Sequence, residues 1–283
     1  MNIIVTGGYG FIGSNLYDTL RELADKPTYP NFKLARSKFL PPEEIYNRLI
    51  CKPAYTKNTP LDVIYHLAAY SRVPGSNNPE NKVFENNIVS LQNSLELARQ
   101  TKAKLVFTST SYCNVSKDAN YYAFSKDIGE QLCLFYHKTY GVDVAVCRLF
   151  NVYGNQLPGY PEWKFGVIDK FLLDKSLGCG YTINNTGEQR RDYVHVHDVV
   201  QALLILGLQQ TDPSKIYEVG TGITYSVNEI ARMIFGDEKP CVQINVSGEI
   251  MNSQSLGGIE YMRELGWKDK IKLEDWLSTI LLK

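Results

Sequence analysis

The chain has no long apolar run, no net charge and no paired-cysteine motif. Its longest apolar stretch, near Ala202–Leu208, falls far short of the roughly 20 residues that span a bilayer. The start of the chain carries no basic stretch, apolar core or cleavage site ahead of its first glycines, so no membrane partner and a soluble cytoplasmic location are expected. The 30 Lys and Arg balance the 30 Asp and Glu, so no overall positive field draws nucleic acid or an anionic surface. Six cysteines (Cys51, Cys113, Cys133, Cys147, Cys179 and Cys241) form no C-x-x-C pair. That argues against a disulfide framework or zinc site and for reduced thiols; no metal is expected. There is no internal repeat, low-complexity tract or long linker. The 283 residues, 44% hydrophobic and 21% charged, suffice for a large core in one large domain or two moderate ones.

What is present is an alternation of two periodicities. Strands are expected at Asn2–Val5, Phe32–Arg36, Asp62–Ala68, Lys104–Thr108 and Val142–Leu149. Between them lie helical patterns at Ile12–Ala24, Val83–Arg99 and Tyr121–Tyr140. The stripes of the last two are Phe84, Ile88, Leu91, Leu95 and Ala98, and then Phe124, Ile128, Leu132 and Phe135. The β-α alternation predicts a doubly wound parallel sheet of Rossmann type over residues 1–154. After Gly154 the texture becomes shorter and more mixed, which predicts a smaller C-terminal α/β substrate lobe over 155–283, with part of 188–219 returning to the first domain. Helices are expected there at Phe165–Asp174, Val199–Gln209, Val227–Phe235, Ile259–Leu265 and Leu273–Leu282, and strands near Tyr181–Ile183, Tyr217–Val219 and Val242–Val246.

The first strand runs into Gly7-Gly8-Tyr9-Gly10-Phe11-Ile12-Gly13, which opens the first helix. Glycines there let the backbone turn sharply and approach a diphosphate, and the helix N-terminus supplies amide donors. A dinucleotide-binding turn is usually followed, about 20 residues on, by an acidic residue for the adenosine ribose. Here Phe32–Arg36 ends without a carboxylate. Arg36, with Lys38, either meets a 2′-phosphate, favouring NADP over NAD, or is an ordinary solvated charge.

Tyr122 and Lys126 stand four residues apart on one helical face, away from the Phe124 stripe. A nearby cation is expected to favour phenolate, so that Tyr122 exchanges a proton with a sugar hydroxyl near neutrality. Upstream, Lys104–Thr108 ends in Ser109-Thr110-Ser111, hydroxyls at the carboxyl end of a parallel strand, where such sheets bind ligands.

With these motifs in this order, the chain resembles the extended short-chain dehydrogenase/reductase family, the NAD-dependent epimerase/dehydratase group acting on nucleotide sugars. The segments that carry the resemblance are T-G-G-Y-G-F-I-G-S-N (6–15), H-L-A-A-Y-S-R-V-P-G-S (66–76), N-N-I-V-S-L-Q-N (86–93), F-T-S-T-S (107–111), Y-A-F-S-K (122–126), R-L-F-N-V-Y-G (148–154), R-R-D-Y-V-H-V-H-D-V (190–199) and Y-E-V-G-T-G (217–222). The resemblance implies a catalytic set of Thr110, Tyr122 and Lys126, with Asn87 beside it. It implies cofactor contacts from Gly7, Gly10, Phe11, Ile12, Gly13, Leu67, Ala68 and Ala69 as well as from Tyr122 and Lys126. It places Ser71 and Val73 at the sugar pocket and Asn151 and Arg191 on the nucleotide diphosphate. It also implies a homodimer through the helices Val83–Arg99 and Tyr121–Tyr140, although their stripes alone fit an intramolecular core equally well.

The departures narrow the chemistry. Dehydratases of the family carry an Asp-Glu pair directly after the catalytic Thr, where this chain has Ser111 and Tyr112. Epimerase-reductases that epimerise beside a ketone use a Cys and a His; the matching places are Ser111 and Gly166. A late diphosphate arginine is replaced in Val246-Ser247-Gly248-Glu249, and Asn155 stands where proline is usual. The leading expectation is therefore a nucleotide-sugar epimerase of C4 type with bound NAD or NADP. A ketosugar reductase with exchangeable NADPH is the second reading, and a non-catalytic dinucleotide sensor the third. His195 and His197, two apart on a strand, are read as part of the strand and not as metal ligands, and Cys113 as a buried thiol.

Overall fold

The computed structural model describes residues 1–24, 33–37, 61–71, 83–114, 121–154, 166–238, 240–244 and 258–282. Its centre is a parallel six-stranded sheet in the order β2-β1-β3-β4-β5-β9. The strands are β1 (Asn2–Thr6), β2 (Lys33–Ser37), β3 (Val63–His66), β4 (Lys104–Thr110), β5 (Val144–Leu149) and β9 (Ile216–Val219). Strand residues alternate between two faces, and each face has its own core. On one face Ile3, Val5, Tyr65, Val106 and Cys147 pack against α1 (Phe11–Ala24) through Leu16 and Leu20, and against α5 (Val196–Leu208) through Val199, Leu203 and Leu206. On the other, Ile4, Ile64, Leu105, Phe107 and Val146 meet Leu91 and Leu95 of α2 (Ser90–Thr101) and Cys133 and Tyr136 of α3 (Tyr121–Tyr140). Burial of such side chains contributes about 1.5–3 kcal/mol each.

Two expected apolar stripes behave differently. On α3, Phe124 and Phe135 are 44% and 51% exposed, so the two ends of the expected stripe point outward, while Ile128 and Leu132 are half-buried and Leu132 packs on the core. The face toward the sheet instead carries Ala123, Lys126, Gly129, Glu130 and Cys133. Small residues are needed there because β4 comes close: a methyl on Gly129 would lie 2.6 Å from the Phe107 ring. On α2 and the turn ahead of it, Ile88, Leu91, Leu95 and Ala98 are buried as expected, yet Phe84 is exposed. The five residues Glu85–Val89 form a π-helical turn, whose wider pitch rotates Phe84 off the stripe.

Beyond β5 the chain builds a third core from Tyr153, Phe171, Tyr181, Tyr193, Ile230, Phe235 and Leu277. It joins α4 (Val167–Ser176), α6 (Val227–Phe235) and α8 (Leu273–Leu281) to two small sheets. One has the order β10-β8-β6, from β6 (Asn151–Tyr153), β8 (Arg190–His195) and β10 (Thr224–Ser226); the other pairs β7 (Thr182–Asn184) with β11 (Val242–Ile244). The helix α6 starts on a capping box between Ser226 and Glu229. The helix α7 (Gly258–Glu264) packs on β9. No helix among the described residues is long and apolar enough to cross a membrane.

Candidate active site

In an open parallel sheet, ligands sit at the carboxyl ends of the strands where the strand order reverses. Here β1 lies between β2 and β3, so the reversal falls at the ends of β1 and β3. The chain leaves β1 through Gly7 at φ +68°, a left-handed conformation that favours glycine. Its carbonyl accepts the Gly10 amide at 2.9 Å, and the Ser14 hydroxyl donates to the Gly10 carbonyl at 2.8 Å. A Cβ on Gly13 would fall 2.2 Å from the Gly7 oxygen, and one on Gly7 would fall 2.7 Å from the Leu67–Ala68 backbone. Turn, helix and β3 loop are thus pressed together without side chains between them. What remains open above is a groove of bare backbone at a helix start, which fits a dinucleotide diphosphate.

One cavity of about 490 Å³ extends from this turn to α3. Gly7, Gly10, Phe11, Ile12, Gly13, Leu67, Ala68, Ala69, Ser71, Thr110, Tyr122 and Lys126 all line it. Five elements of the chain therefore converge on one space. Tyr9, Thr108, Ser109, Leu149, Phe150 and Val152 line it too; of these, Leu149, Phe150 and Val152 carry no chemical signature in the sequence. Val73, Lys38, Asn155 and Val246–Glu249 lie outside the described residues.

Four expected residues stand outside the lining. The Asn87 amide, in the π turn, accepts the Tyr70 amide at 2.6 Å and donates to the Tyr70 carbonyl at 3.3 Å and to Ser125 Oγ at 2.9 Å. It ties the loop after β3 to the α3 turn between Tyr122 and Lys126. Asn151, on β6, donates to the Asp192 carbonyl at 3.3 Å. Arg191, on β8, donates to the Arg190 carbonyl at 2.8 Å, with its guanidinium 5.9 Å from the Tyr112 ring centre. Arg36, at the end of β2, rests against the Tyr9 and Tyr17 rings.

The electrostatics of the reactive groups correct one expectation. The Tyr122 phenol is hydrogen-bonded with Thr110, but burial raises it well above the ordinary tyrosine range and no lysine holds it down. Lys126 is itself desolvated to about 8 and stands 6.0 Å from the Tyr122 ring centre. Its ammonium donates to the Thr108 carbonyl at 2.7 Å and lies over the Phe107 ring. In the protein alone, then, the phenol is a proton donor. Burial and the like charge of Lys126 push His66, at the end of β3, down to about 3. Its Nδ1 hydrogen-bonds with the hydroxyls of Thr6 at 3.0 Å and Ser94 at 2.9 Å.

Beneath the reactive set runs a buried charged network. The Glu130 carboxylate accepts Arg148 Nε at 2.7 Å and Nη2 at 2.6 Å, and the Ser109 hydroxyl at 2.5 Å. Arg148 Nη1 donates to Asn114 at 2.5 Å, and Asn114 donates to Glu218 at 2.9 Å. Cys113, in the turn Ser111–Asn114, donates to the Ala123 carbonyl at 3.5 Å, and burial pushes its thiol up to about 11. Two of the three reactive residues are one step from this network: Thr110 follows Ser109, and Lys126 precedes Glu130 by one turn. Spacing alone does not reveal it, because Arg148 and Glu130 are 18 residues apart. Among the described residues no group of three His, Cys, Asp or Glu side chains is arranged to hold a metal ion; His195 Nδ1 caps α5 by accepting the His197 amide.

The chain matches the NAD dependent epimerase/dehydratase family over residues 3–220. It is 30% identical to a putative UDP-glucose 4-epimerase of Methanocaldococcus jannaschii, covering 99% of this chain and 97% of that one. It is 28% identical to UDP-glucuronic acid decarboxylase 6 of Arabidopsis thaliana, covering 99% and 88%. Among solved structures it is similar to the UDP-glucose 4-epimerase of Thermotoga maritima with UDP-glucose. That similarity has a TM-score of 0.81 at 27% identity over 100% of this chain and 98% of that one.

Proposed function

Because the chain belongs to the NAD dependent epimerase/dehydratase family, we propose that it is an enzyme inverting C4 of a nucleotide-diphosphate sugar by transient hydride transfer. A bound nicotinamide dinucleotide would supply the hydride acceptor and donor. The glycine turn and the Leu67–Ala69 backbone hold its diphosphate, and Lys126 meets its nicotinamide ribose. Tyr122 exchanges the proton of the reacting hydroxyl while Thr110 orients that oxygen. Asn87 acts by position, fixing the turn that carries both Tyr122 and Lys126. Ser71, Asn151 and Arg191 face the sugar nucleotide in this reading, with Arg191 on its diphosphate.

The observation that carries this reading is the lining itself. Its ionisable side chains among the described residues are the phenols of Tyr9 and Tyr122 and the ammonium of Lys126; no carboxylic acid is among them. Expulsion of a sugar hydroxyl requires an acid beside the leaving oxygen, whereas hydride removal and return require only the phenol and its orienting hydroxyl. That supports epimerisation over dehydration. Loss of CO2 from a 4-keto uronic acid needs no such acid, so decarboxylation is the rival reaction for which the lining supplies machinery. The ketosugar reductase remains the rival that releases its cofactor.

The test is incubation with a panel of nucleotide sugars and uronic acids, following sugar configuration, CO2 and reduced-nicotinamide absorbance. Inversion without net absorbance change is expected, and Tyr122→Phe should abolish it while leaving dinucleotide affinity intact. Stoichiometric CO2 release or cofactor consumption would replace this reading. The two-lobe division at Gly154 and a homodimer belong to the same proposal; the exposed Phe124, Phe135 and Tyr140 of α3 support a pairing face.

A further inference from the structure

The end of β2 departs from what an unphosphorylated adenosine needs. A ribose presents two hydroxyl donors, which a carboxylate accepts. The described β2 residues, Lys33–Ser37, include no acid. The residue beside the glycine turn is Arg36, paired in register with Val5, and a Cβ on Gly8 would fall 2.6 Å from Arg36 Cβ. It stands on the β2 side of the turn, opposite the β3 side where Leu67 and Ala68 pack on Gly7. A dinucleotide with its nicotinamide at Tyr122 and its diphosphate on the turn brings its adenosine ribose to this side.

The guanidinium is held in a particular way. Its carbon lies 4.4 Å from the centre of the Tyr9 ring and 4.4 Å from that of Tyr17. Both are cation–π contacts, in which the rings attract the charge without accepting a conventional hydrogen bond from it. Among the described residues no carboxylate pairs with Arg36 and no acceptor takes its donors. A planar five-donor fork set against two rings, with no acceptor among the described residues, matches two oxygens of a phosphate. A bare ribose offers it only neutral hydroxyl oxygens, whereas a phosphate accepts through charge-assisted, bidentate bonds.

Resting on the dinucleotide reading above, we propose that Arg36 binds a phosphomonoester on the adenosine 2′ oxygen, so that this chain takes the 2′-phosphorylated dinucleotide in preference to NAD. Tyr9 and Tyr17 orient the fork, and the selectivity resides in one side chain at the end of β2.

The test is titration calorimetry of the full chain with NAD⁺, NADP⁺, 5′-AMP and 2′-AMP. The wild-type protein should bind NADP⁺ at least about tenfold more tightly than NAD⁺ and 2′-AMP more tightly than 5′-AMP. Raising the salt concentration should narrow the gap. Arg36→Ala should remove the preference with NAD⁺ affinity unchanged, and Arg36→Asp should invert it. Nucleotide released on denaturing the purified protein should carry the mass of the phosphorylated form. Equal or tighter binding of NAD⁺ would overturn the inference while leaving the dinucleotide reading intact. Equal weakening of both by Arg36→Ala would mean that the guanidinium stacks on adenine, which also overturns it. Binding of neither dinucleotide would overturn the functional reading as well.

Discussion

Removing the Glu130 carboxylate probes how the reactive set is held. Glu130→Ala leaves Arg148, whose side chain is 14% exposed, without its bidentate partner, and leaves the Ser109 hydroxyl without its acceptor. Breaking a buried pair on one side costs about 3–5 kcal/mol. Asn114 still accepts from the guanidinium, and Glu218 lies 3.9 Å from it. The lower end is therefore expected, about 3 kcal/mol, which is a large share of the total stability of a domain. A double-mutant cycle with Arg148→Ala, read by urea unfolding, should give a coupling energy of about 2 kcal/mol or more. The exposed pair Arg99–Glu96, at 2.8 Å with side chains 42% and 36% exposed, is the internal control, and its cycle should give about 0.5 kcal/mol or less. Because Ser109 adjoins Thr110, Glu130→Ala should also lower kcat more than it changes KM. Additive single mutants, or equal coupling in the two pairs, would refute the claim that this network anchors the site.

The remaining expectations concern the same groups. Lys126 is depressed to about 8, so between that pH and the ordinary lysine range the unfolded chain binds the extra proton and stability rises with pH; below it the folded protein carries the full cost of the buried ammonium. Lys126→Met should therefore stabilise the protein at pH 7, by up to about 3 kcal/mol, flatten the alkaline rise in a pH series of urea melts, and abolish turnover. His66 and His195 are depressed to about 3 and about 4, so stability should fall as pH drops below the ordinary histidine value. His66→Leu should reduce that slope by one proton in the same series. Gly13→Ala sets a methyl against the Gly7 carbonyl and should weaken dinucleotide binding at least about tenfold by calorimetry, with the far-UV spectrum retained.

Much of this arrangement was legible in the residues because local rules and tertiary needs agree there. The run from Asn2 through Gly13 reads as strand, turn and helix at once, and Tyr122 with Lys126 shares a helical face at any helix position. What escaped is set by contacts between distant segments. The stripe of α3 fits a core or a pairing face equally well, and its direction is set by the close approach of β4, where Gly129 and the paired Lys126 and Glu130 take the inner face, a contact that hydrophobicity alone does not encode. The phenol that sequence spacing sets beside a cation is governed by desolvation, which no spacing encodes. The short strands β6 and β10, three residues each, carry too few alternations to register.

The π turn at Glu85–Val89 carries a consequence for how this segment tolerates changes in length. A turn with one surplus residue has stored an insertion, and excising a single residue there would restore ordinary pitch with the flanking helix faces almost unmoved, while removing or turning away the side chains that the wide turn itself presents. Asn87 would then lose the Tyr70 peptide even though no residue that meets substrate had been altered. Spacing in this stretch is thus as much a part of the machinery as side-chain identity, and homologous proteins that differ by one residue here should reach the same loop by a different anchor.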